Sequence, residues 1–157
     1  MGYHVGTIWP HDNALIAAGF KRYGAEAELN ELATGICDAA FSFPYYRLPE
    51  LFSGAPRSAH LAPVPYLVAC RPQAFAAAAL PFLLTSILGL APDAPHGRLY
   101  VVRPRLPFWL DFVRLSGLRV GEASLDLIYH RRGSRTVVEV IGQTAPLEVV
   151  RTRRWPG

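Results

Sequence analysis

The spacing of apolar residues changes near Pro95, and this change constrains the fold more than any other feature of the sequence. Apolar residues recur every three or four positions before it, as in amphipathic helices, and alternate after it, as in strands. The predicted elements are helices over 14–23, 29–41 and from Pro72 to Gly89, with an interruption at Pro81, then strands over 99–102, 118–129, 136–141 and 147–150. Helices followed by strands indicate the α+β class.

The first two predicted helices each have an apolar side. In the first, Leu15, Ile16, Phe20 and Tyr23 fall on one side, which predicts that this side faces the core. Asp12 and Asn13 precede this helix as good N-cap residues, and Gly24 follows it as a stop signal. In the second, Leu29, Ala33 and Ile36 belong to one apolar stripe, and Pro44 lies beyond its end.

The composition excludes several classes of protein. Of 157 residues, 51% are hydrophobic and 18% are charged, which is too apolar for a disordered chain. Two cysteines, Cys37 and Cys70, are too few for a disulfide scaffold and favour reduced thiols. No basic segment followed by an apolar stretch and a cleavage site opens the sequence, so we expect a cytoplasmic protein.

An uncharged segment, residues 74–91, reaches the length at which a membrane span must be considered. Pro81 interrupts it, Gly89 and Pro92 end it, and aromatic and basic anchors do not flank both of its ends. A helix that is apolar all round is also typical of a covered core element. We therefore predict a core helix and no membrane partner.

Basic side chains outnumber acidic ones, 16 to 12, and all but one of them are arginines. They are scattered along the chain, apart from a group at 131–135 and a tail at 151–154. Neither group alternates in sequence with aromatic residues on which bases could stack. The sequence thus favours a solvated turn and a solvated tail, and predicts no nucleic-acid partner.

Two short segments contain the candidate site residues. The opening run, residues 2–13, holds His4 and His11, but no third ligand has matching spacing, so we predict no metal and no cofactor. Glu50 lies in an aromatic-rich connection between Pro49 and a serine–glycine pair. Apolar surroundings would raise the pKa of its carboxyl and suit it to act as a general base. The alternative is a surface glutamate or an ion-paired one, for example with Arg47.

Several separated motifs carry a resemblance to one family. The segments YHVGTIWPHDNALIAAGFKRYG, RLPELFSG and PVPYLVACRPQAFAAA occur in that order along the chain. Together they resemble the C-terminal part of bacterial amylo-alpha-1,6-glucosidase, a glycogen-debranching type of glycoside hydrolase. The later segment LPFWLDFVRLSGLRVGEASLDL is similar to the tail of those proteins.

The resemblance implies a fold, a reaction and a set of site residues. The family has an α/α toroid of six helical hairpins and hydrolyses α-glucosidic bonds with inversion, using an acid and a base roughly 6.5–9.5 Å apart. Glu50 matches the family's general base, in the motif LPE. The motif WPHDN places Trp9, His11 and Asp12 at the rim of a sugar subsite, and Gln73 matches a residue near the same pocket. Phe75 stands where related sequences often carry tryptophan.

The resemblance also implies an incomplete enzyme. The family's catalytic acid is an aspartate in an upstream tryptophan-rich segment, to which nothing in this sequence corresponds. We therefore expect a C-terminal segment, mainly α, with a partial toroid at 1–95 and a small antiparallel β region at 96–157. Its expected partners are an α-glucan or oligosaccharide and either the rest of the enzyme or a second copy. The alternative is a non-catalytic remnant that binds carbohydrate or a protein partner.

Overall fold

The structure, a computed structural model, describes residues 2–58 and 62–156. The chain divides into two compact units, Met1–Leu84 and Thr85–Gly157. The described residues form three α-helices and eight strands, and the strands make three small sheets.

The first unit begins with a short strand that leads into a helical hairpin. Its elements are β1 (Thr7–Ile8), α1 (Pro10–Tyr23), α2 (Glu26–Ala40) and β2 (Phe52–Ser53), with a 3₁₀ turn at Pro44–Tyr46. β1 pairs antiparallel with β2, so that Thr7 lies opposite Ser53. This pairing brings the opening segment beside the connection that follows α2.

α1 differs from its prediction at its start and on its buried side. Its N-cap is Trp9, whose side chain makes no capping hydrogen bond. Pro10 is the first helical residue, and its fixed φ angle suits that position. Asp12 and Asn13 therefore lie inside the helix, whereas Gly24 ends it in the left-handed region, at φ 82°, as predicted. The buried side consists of Pro10, Ala14, Ala17 and Lys21, while Leu15, Ile16 and Tyr23 are exposed. The predicted apolar face of α1 is thus wrong.

α2 agrees with its prediction and packs against α1. Leu29, Ala33 and Ile36 are buried at helical spacing. At the junction of the two helices the Lys21 ammonium is fully buried and lies 3.9 Å from the carboxylate of Glu26. A buried ammonium needs such a partner because its transfer from water is costly.

α3 (Ala74–Leu88) begins in the first unit and continues through Pro81, so the predicted interruption is wrong. It ends where Gly89 adopts the left-handed region, at φ 69°. A Cβ atom at Gly89 would lie 2.0 Å from the carbonyl oxygen of Val102. Within the described ranges, no helix combines the length and apolar character needed to cross a membrane.

The second unit is built from two three-stranded sheets. One has the order β3 (Leu90–Asp93), β4 (Arg98–Val102) and β8 (Glu148–Thr152), with β4 and β8 parallel. The other is an antiparallel meander of β5 (Phe112–Val120), β6 (Ala123–Arg132) and β7 (Arg135–Gln143). The single strand predicted over 118–129 is instead a hairpin, since Gly121 turns the chain at φ 59°.

Alternating burial along β6 shows which side of the meander faces the core. Leu125, Leu127 and Tyr129 are fully buried, whereas Ile128 and His130 on the other side are half-buried. Residues that alternate in this way occupy opposite faces of a sheet. One face of the meander therefore belongs to the core, and the other is open to solvent in part.

The expectation of a mainly-α chain built as part of an α/α toroid is wrong. Within the described residues, α1 and α2 alone form a helical hairpin, and strands account for about as many residues as helices do. The expected β region also differs, because β4 and β8 run parallel. The physical reason is the alternating apolar pattern beyond Gly89, which buries one face of each sheet instead of extending a helical array.

Candidate functional site

Glu50 is held in place by the backbone of a distant segment. Its own N–H donates to the carbonyl oxygen of Cys70 at 3.1 Å, and the N–H of Cys70 donates to Glu50 Oε2 at 3.0 Å. Leu48, Pro49 and Leu51 around it are buried, and Glu50 itself is 9% exposed. The carboxylate is therefore fixed in orientation and largely withdrawn from water.

Tyr3 supplies a further hydrogen bond to this carboxylate. Its hydroxyl donates to Glu50, and this bond, together with burial, raises the pKa of Tyr3 to about 12. The pKa of the Glu50 carboxyl is lowered, first by the N–H of Cys70 and then by the hydroxyl of Tyr3, although burial opposes the change. Hydrogen bonds to the charged form favour it. The sequence-based expectation of a raised pKa is thus wrong, and Glu50 is ionised at neutral pH.

A group of aromatic rings adjoins Glu50 through Tyr3. Tyr3 and Trp9 make an edge-to-face contact, with 5.0 Å between their ring centroids. The ring of Tyr66 also contacts that of Tyr3, at 5.8 Å between centroids. His4 lies parallel to Trp9, at 5.1 Å and 4° between planes. His4 thus occupies one face of the indole, while the indole N–H donates to Thr7 Oγ1 at 3.2 Å. A stacked pyranose would need the other face of the indole. Trp9 as a whole residue is half-buried.

His11 extends this aromatic group toward α3. Its ring lies 5.7 Å from Trp9 and 5.4 Å from Phe75, at the first turn of α3. Its Nε2 is 3.0 Å from the exposed carboxylate of Asp12, and His11 contributes to the lowered pKa of the Glu50 carboxyl. Its Nδ1 is buried and has no hydrogen-bond partner among the described residues. The structure therefore brings Trp9, His11 and Asp12 together, and the ring contact between Trp9 and Tyr3 connects this group to Glu50.

Gln73 has a structural role in this arrangement. Its side-chain oxygen accepts a hydrogen bond from the N–H of Ala76 at 2.7 Å, which caps the start of α3. In the ranges that the structure describes, no hydrogen bond joins Gln73 to Glu50, Trp9 or His11. Its predicted place beside the sugar pocket stays a prediction.

The alternative interpretation of Glu50 as a surface glutamate is wrong, and among the described residues it forms no ion pair with Arg47. The guanidinium of Arg47 lies over the ring of Tyr45, 5.8 Å from its centroid, and Glu50 is buried. Hydrogen-bond donors make the largest contributions to the lowered pKa of the Glu50 carboxyl, and the nearby His11 makes a smaller electrostatic one.

The first unit also contains a cavity of about 460 Å³ on a different set of residues. Ile8, Leu32, Ile36 and Phe52 line it together with segments 55–58 and 62–64. An exposed ion pair between Arg57 and Asp38, at 2.6 Å, borders it. Glu50, Trp9 and His11 do not line this cavity, so it is distinct from the site around Glu50.

Sequence reasoning missed Tyr3 and Cys70 as neighbours of Glu50. Tyr3 belongs to the polar and aromatic opening run, and that density of aromatic residues is a signal for a site. No comparable sequence signal marks Cys70, because its backbone N–H, and not its side chain, bonds to Glu50. Cys70 is exposed, whereas Cys37 is half-buried. Across residues 2–58 and 62–156, no three metal-ligating side chains come together.

A scan against protein-family models and a search of curated proteins found no match for this chain. The resemblance to debranching-type hydrolases therefore rests on the quoted motifs alone.

Proposed function

We propose that this chain is part of a glycoside hydrolase of the glycogen-debranching type, in which Glu50 is the general base. Its substrate would be an α-glucan or an α-linked oligosaccharide, and the proposal includes a cytoplasmic location. The single observation that carries the proposal is the buried carboxylate of Glu50, which is hydrogen-bonded to Cys70 and Tyr3 and connected through Tyr3 to the rings of Trp9 and His11.

The state of Glu50 suits the role of a base. An inverting hydrolase needs one carboxylate that removes a proton from the attacking water, and a lowered pKa keeps that carboxylate charged. Cys70 and Tyr3 also hold it in one orientation, which favours proton transfer over a defined distance. Trp9 offers an apolar ring to a pyranose, and Asp12 offers an exposed acceptor for hydroxyl groups.

A second candidate function is favoured by the same hydrogen bonds. Two donors on one carboxylate lower its basicity and tie the residue after Pro49 to Cys70, as in a structural carboxylate. In that case the aromatic group binds a carbohydrate without hydrolysing it. The two candidates predict different effects on turnover when the charge of Glu50 is removed.

Binding to the chain alone provides the first test. We expect the 157-residue protein to bind maltooligosaccharides, as measured by NMR titration, and to hydrolyse none of them. Trp9→Ala should weaken binding by about 2- to 10-fold through loss of the stacking surface. Trp109→Ala, an exposed tryptophan in the second unit, is the matched control and should leave affinity unchanged.

Complementation distinguishes catalysis from binding. A segment of a debranching-type hydrolase that carries the catalytic acid is added, and hydrolysis of a branched α-glucan is measured. Glu50→Gln should lower turnover by about 10²–10⁴-fold and leave oligosaccharide binding nearly unchanged, because the amide keeps the shape but cannot accept the proton of water. Full turnover with Glu50→Gln would exclude Glu50 as the general base and leave the second candidate, in which this chain binds the carbohydrate and Glu50 is structural. Absence of oligosaccharide binding would contradict both.

A further inference from the structure

The second unit concentrates the positive charge of the protein. It contains 11 arginines, no lysine and 6 acidic residues, whereas the first unit has 5 basic and 6 acidic residues. Arg98, Arg114 and Arg131 form ion pairs with Glu148, Asp126 and Asp111, respectively. Most of the arginines of this unit are exposed, so most of the excess charge faces solvent.

Two of the remaining arginines lie directly opposite each other at the end of the β6–β7 hairpin. Arg132 pairs in register with Arg135, and both side chains are exposed. Their guanidinium groups make no ion pair or hydrogen bond with the described part of the chain. Like charges directly opposite each other in a sheet destabilise it. This arrangement costs stability unless an anion binds between them.

The neighbouring row of the same sheet face is aromatic and apolar. Phe112 lies opposite His130, and His130 lies opposite Val137, with the rings of Phe112 and His130 6.4 Å apart. Phe112 is 59% and Val137 44% exposed. Residues two positions apart in a strand share a face and lie about 7 Å apart. The row formed by Phe112, His130 and Val137 thus adjoins the row formed by Arg132 and Arg135, and we name these five residues the basic–aromatic face.

The acidic residues of this sheet face lie on the side away from the arginine pair. Arg114 and Asp126 form an ion pair at 3.7 Å, and Glu139 belongs to the row that contains Ile128. That row is on the opposite side of Phe112 and His130 from Arg132. Asp111 is engaged by Arg131, so it does not neutralise the arginine pair. An anionic group of a ligand would therefore bind at the hairpin end, and a ring of the same ligand would stack on the aromatic row.

From this juxtaposition we propose that the basic–aromatic face binds single-stranded nucleic acid. Arg132 and Arg135 contact phosphate groups, and a base stacks on Phe112 or His130. Stacked aromatic side chains beside a positive track are the combination that holds single strands without sequence preference. The sequence predicts no such partner because Phe112 is remote along the chain from Arg132. The register of β5, β6 and β7 places them on one face.

Fluorescence anisotropy with a labelled 12-nucleotide oligo(U) tests this proposal on the full chain. We expect the affinity to fall with rising salt, with a slope of about −0.7 for each phosphate contacted. The double variant Arg132→Gln and Arg135→Gln should bind at least 10-fold more weakly and lose about 1.4 from the magnitude of that slope. Phe112→Ala should bind at least about 5-fold more weakly at constant charge.

The matched control is the double variant Arg153→Gln and Arg154→Gln, which removes the same charge from the tail. It should reduce affinity less than 3-fold; an equal loss would show attraction by net charge alone and overturn the proposal. Equal competition by poly-glutamate would assign the face to an acidic peptide, and tighter binding of duplex would exclude stacking; either result overturns it. Thermal unfolding of Arg132→Gln/Arg135→Gln should occur at the same or a higher temperature, which excludes misfolding as the cause of weaker binding.

Discussion

At the scale of single residues, Glu50 keeps its charge inside the first unit because hydrogen-bond donors converge on its carboxylate. The N–H of Cys70 contributes most to the lowered pKa, and the Tyr3 hydroxyl comes next. A carboxyl with a lowered folded-state pKa stabilises the protein above its ordinary pKa of about 4.3, and this stabilisation is lost as the pH falls through the folded-state value. The raised pKa of Tyr3 acts in the opposite pH range, since its contribution is lost from about pH 10 toward 12.

Replacement of Tyr3 by Phe isolates one of these donors. The ring contacts of Tyr3 with Trp9 and Tyr66 are kept, and only the hydrogen bond to Glu50 is removed. We expect the pKa of the Glu50 carboxyl to rise, as followed by ¹³C NMR during an acid titration. Tyr66→Phe, which removes a hydroxyl that does not bond to Glu50, should leave this pKa unchanged. An unaltered pKa in Tyr3→Phe would contradict the role assigned to the Tyr3 hydroxyl.

The sequence identifies Glu50 as a candidate but not the state of its carboxyl. Its position after Pro49 in an aromatic-rich connection is visible in the sequence. The direction of its pKa depends on Cys70, which is 20 positions away, and on Tyr3 in the opening run. Such donors meet the carboxylate only through the tertiary fold, so a local argument from apolar neighbours gives the wrong sign.

At the scale of elements, the regular spacing of apolar residues predicts the buried side of α2 but not that of α1, and turns that depend on backbone conformation are predicted poorly. α2 follows its periodic stripe, with Leu29 and Ile36 buried as expected. The alternating apolar pattern runs on from β5 into β6. The turn between these two strands depends on Gly121, whose φ lies in the left-handed region. α3 continues through Pro81, whose ring removes one helical hydrogen bond, while Ala79 and Leu83 on either side stay buried.

The end of α3 provides a prediction about backbone strain. Gly89→Ala combines a left-handed backbone with a Cβ atom 2.0 Å from the carbonyl oxygen of Val102. We expect the free energy of unfolding to fall by about 2–5 kcal/mol, as measured by urea denaturation. Gly133→Ala is the matched control, because Gly133 has φ 61° but open space around its Cβ position. Its expected cost is about 1 kcal/mol, and equal costs at both sites would show that the contact with Val102 is not decisive.

At the scale of the whole molecule, local motifs and global fold are specified by different information. The quoted motifs concern the segments around Trp9, Glu50 and Gln73, and the structure does bring Trp9 close to Tyr3 and Glu50. The toroid, by contrast, would require repeated helical hairpins, and the alternating residues beyond Gly89 bury one face of a sheet instead. A match in a site segment constrains which side chains meet and leaves the surrounding architecture open.

The exposed side of α1 leads to a prediction about assembly. Leu15, Ile16 and Tyr23 are 61%, 49% and 90% exposed and recur at helical spacing, while the buried side of α1 contains the small residues Ala14 and Ala17. An apolar stripe of this kind on a helix is typical of an interaction surface. We expect the protein to self-associate, with a sedimentation coefficient that rises with concentration and with binding of a hydrophobic dye.

Paired variants connect this association to α1. Leu15→Lys with Ile16→Lys should shift the protein to the monomer, because two charges would lie within the buried contact. The matched control is Leu67→Lys with Val68→Lys, which makes the same exchange at two exposed positions of a turn in the same unit and should leave the sedimentation profile unchanged. A monomer at every concentration in the unaltered protein, without dye binding, would show that the exposed side of α1 is stable in water by itself.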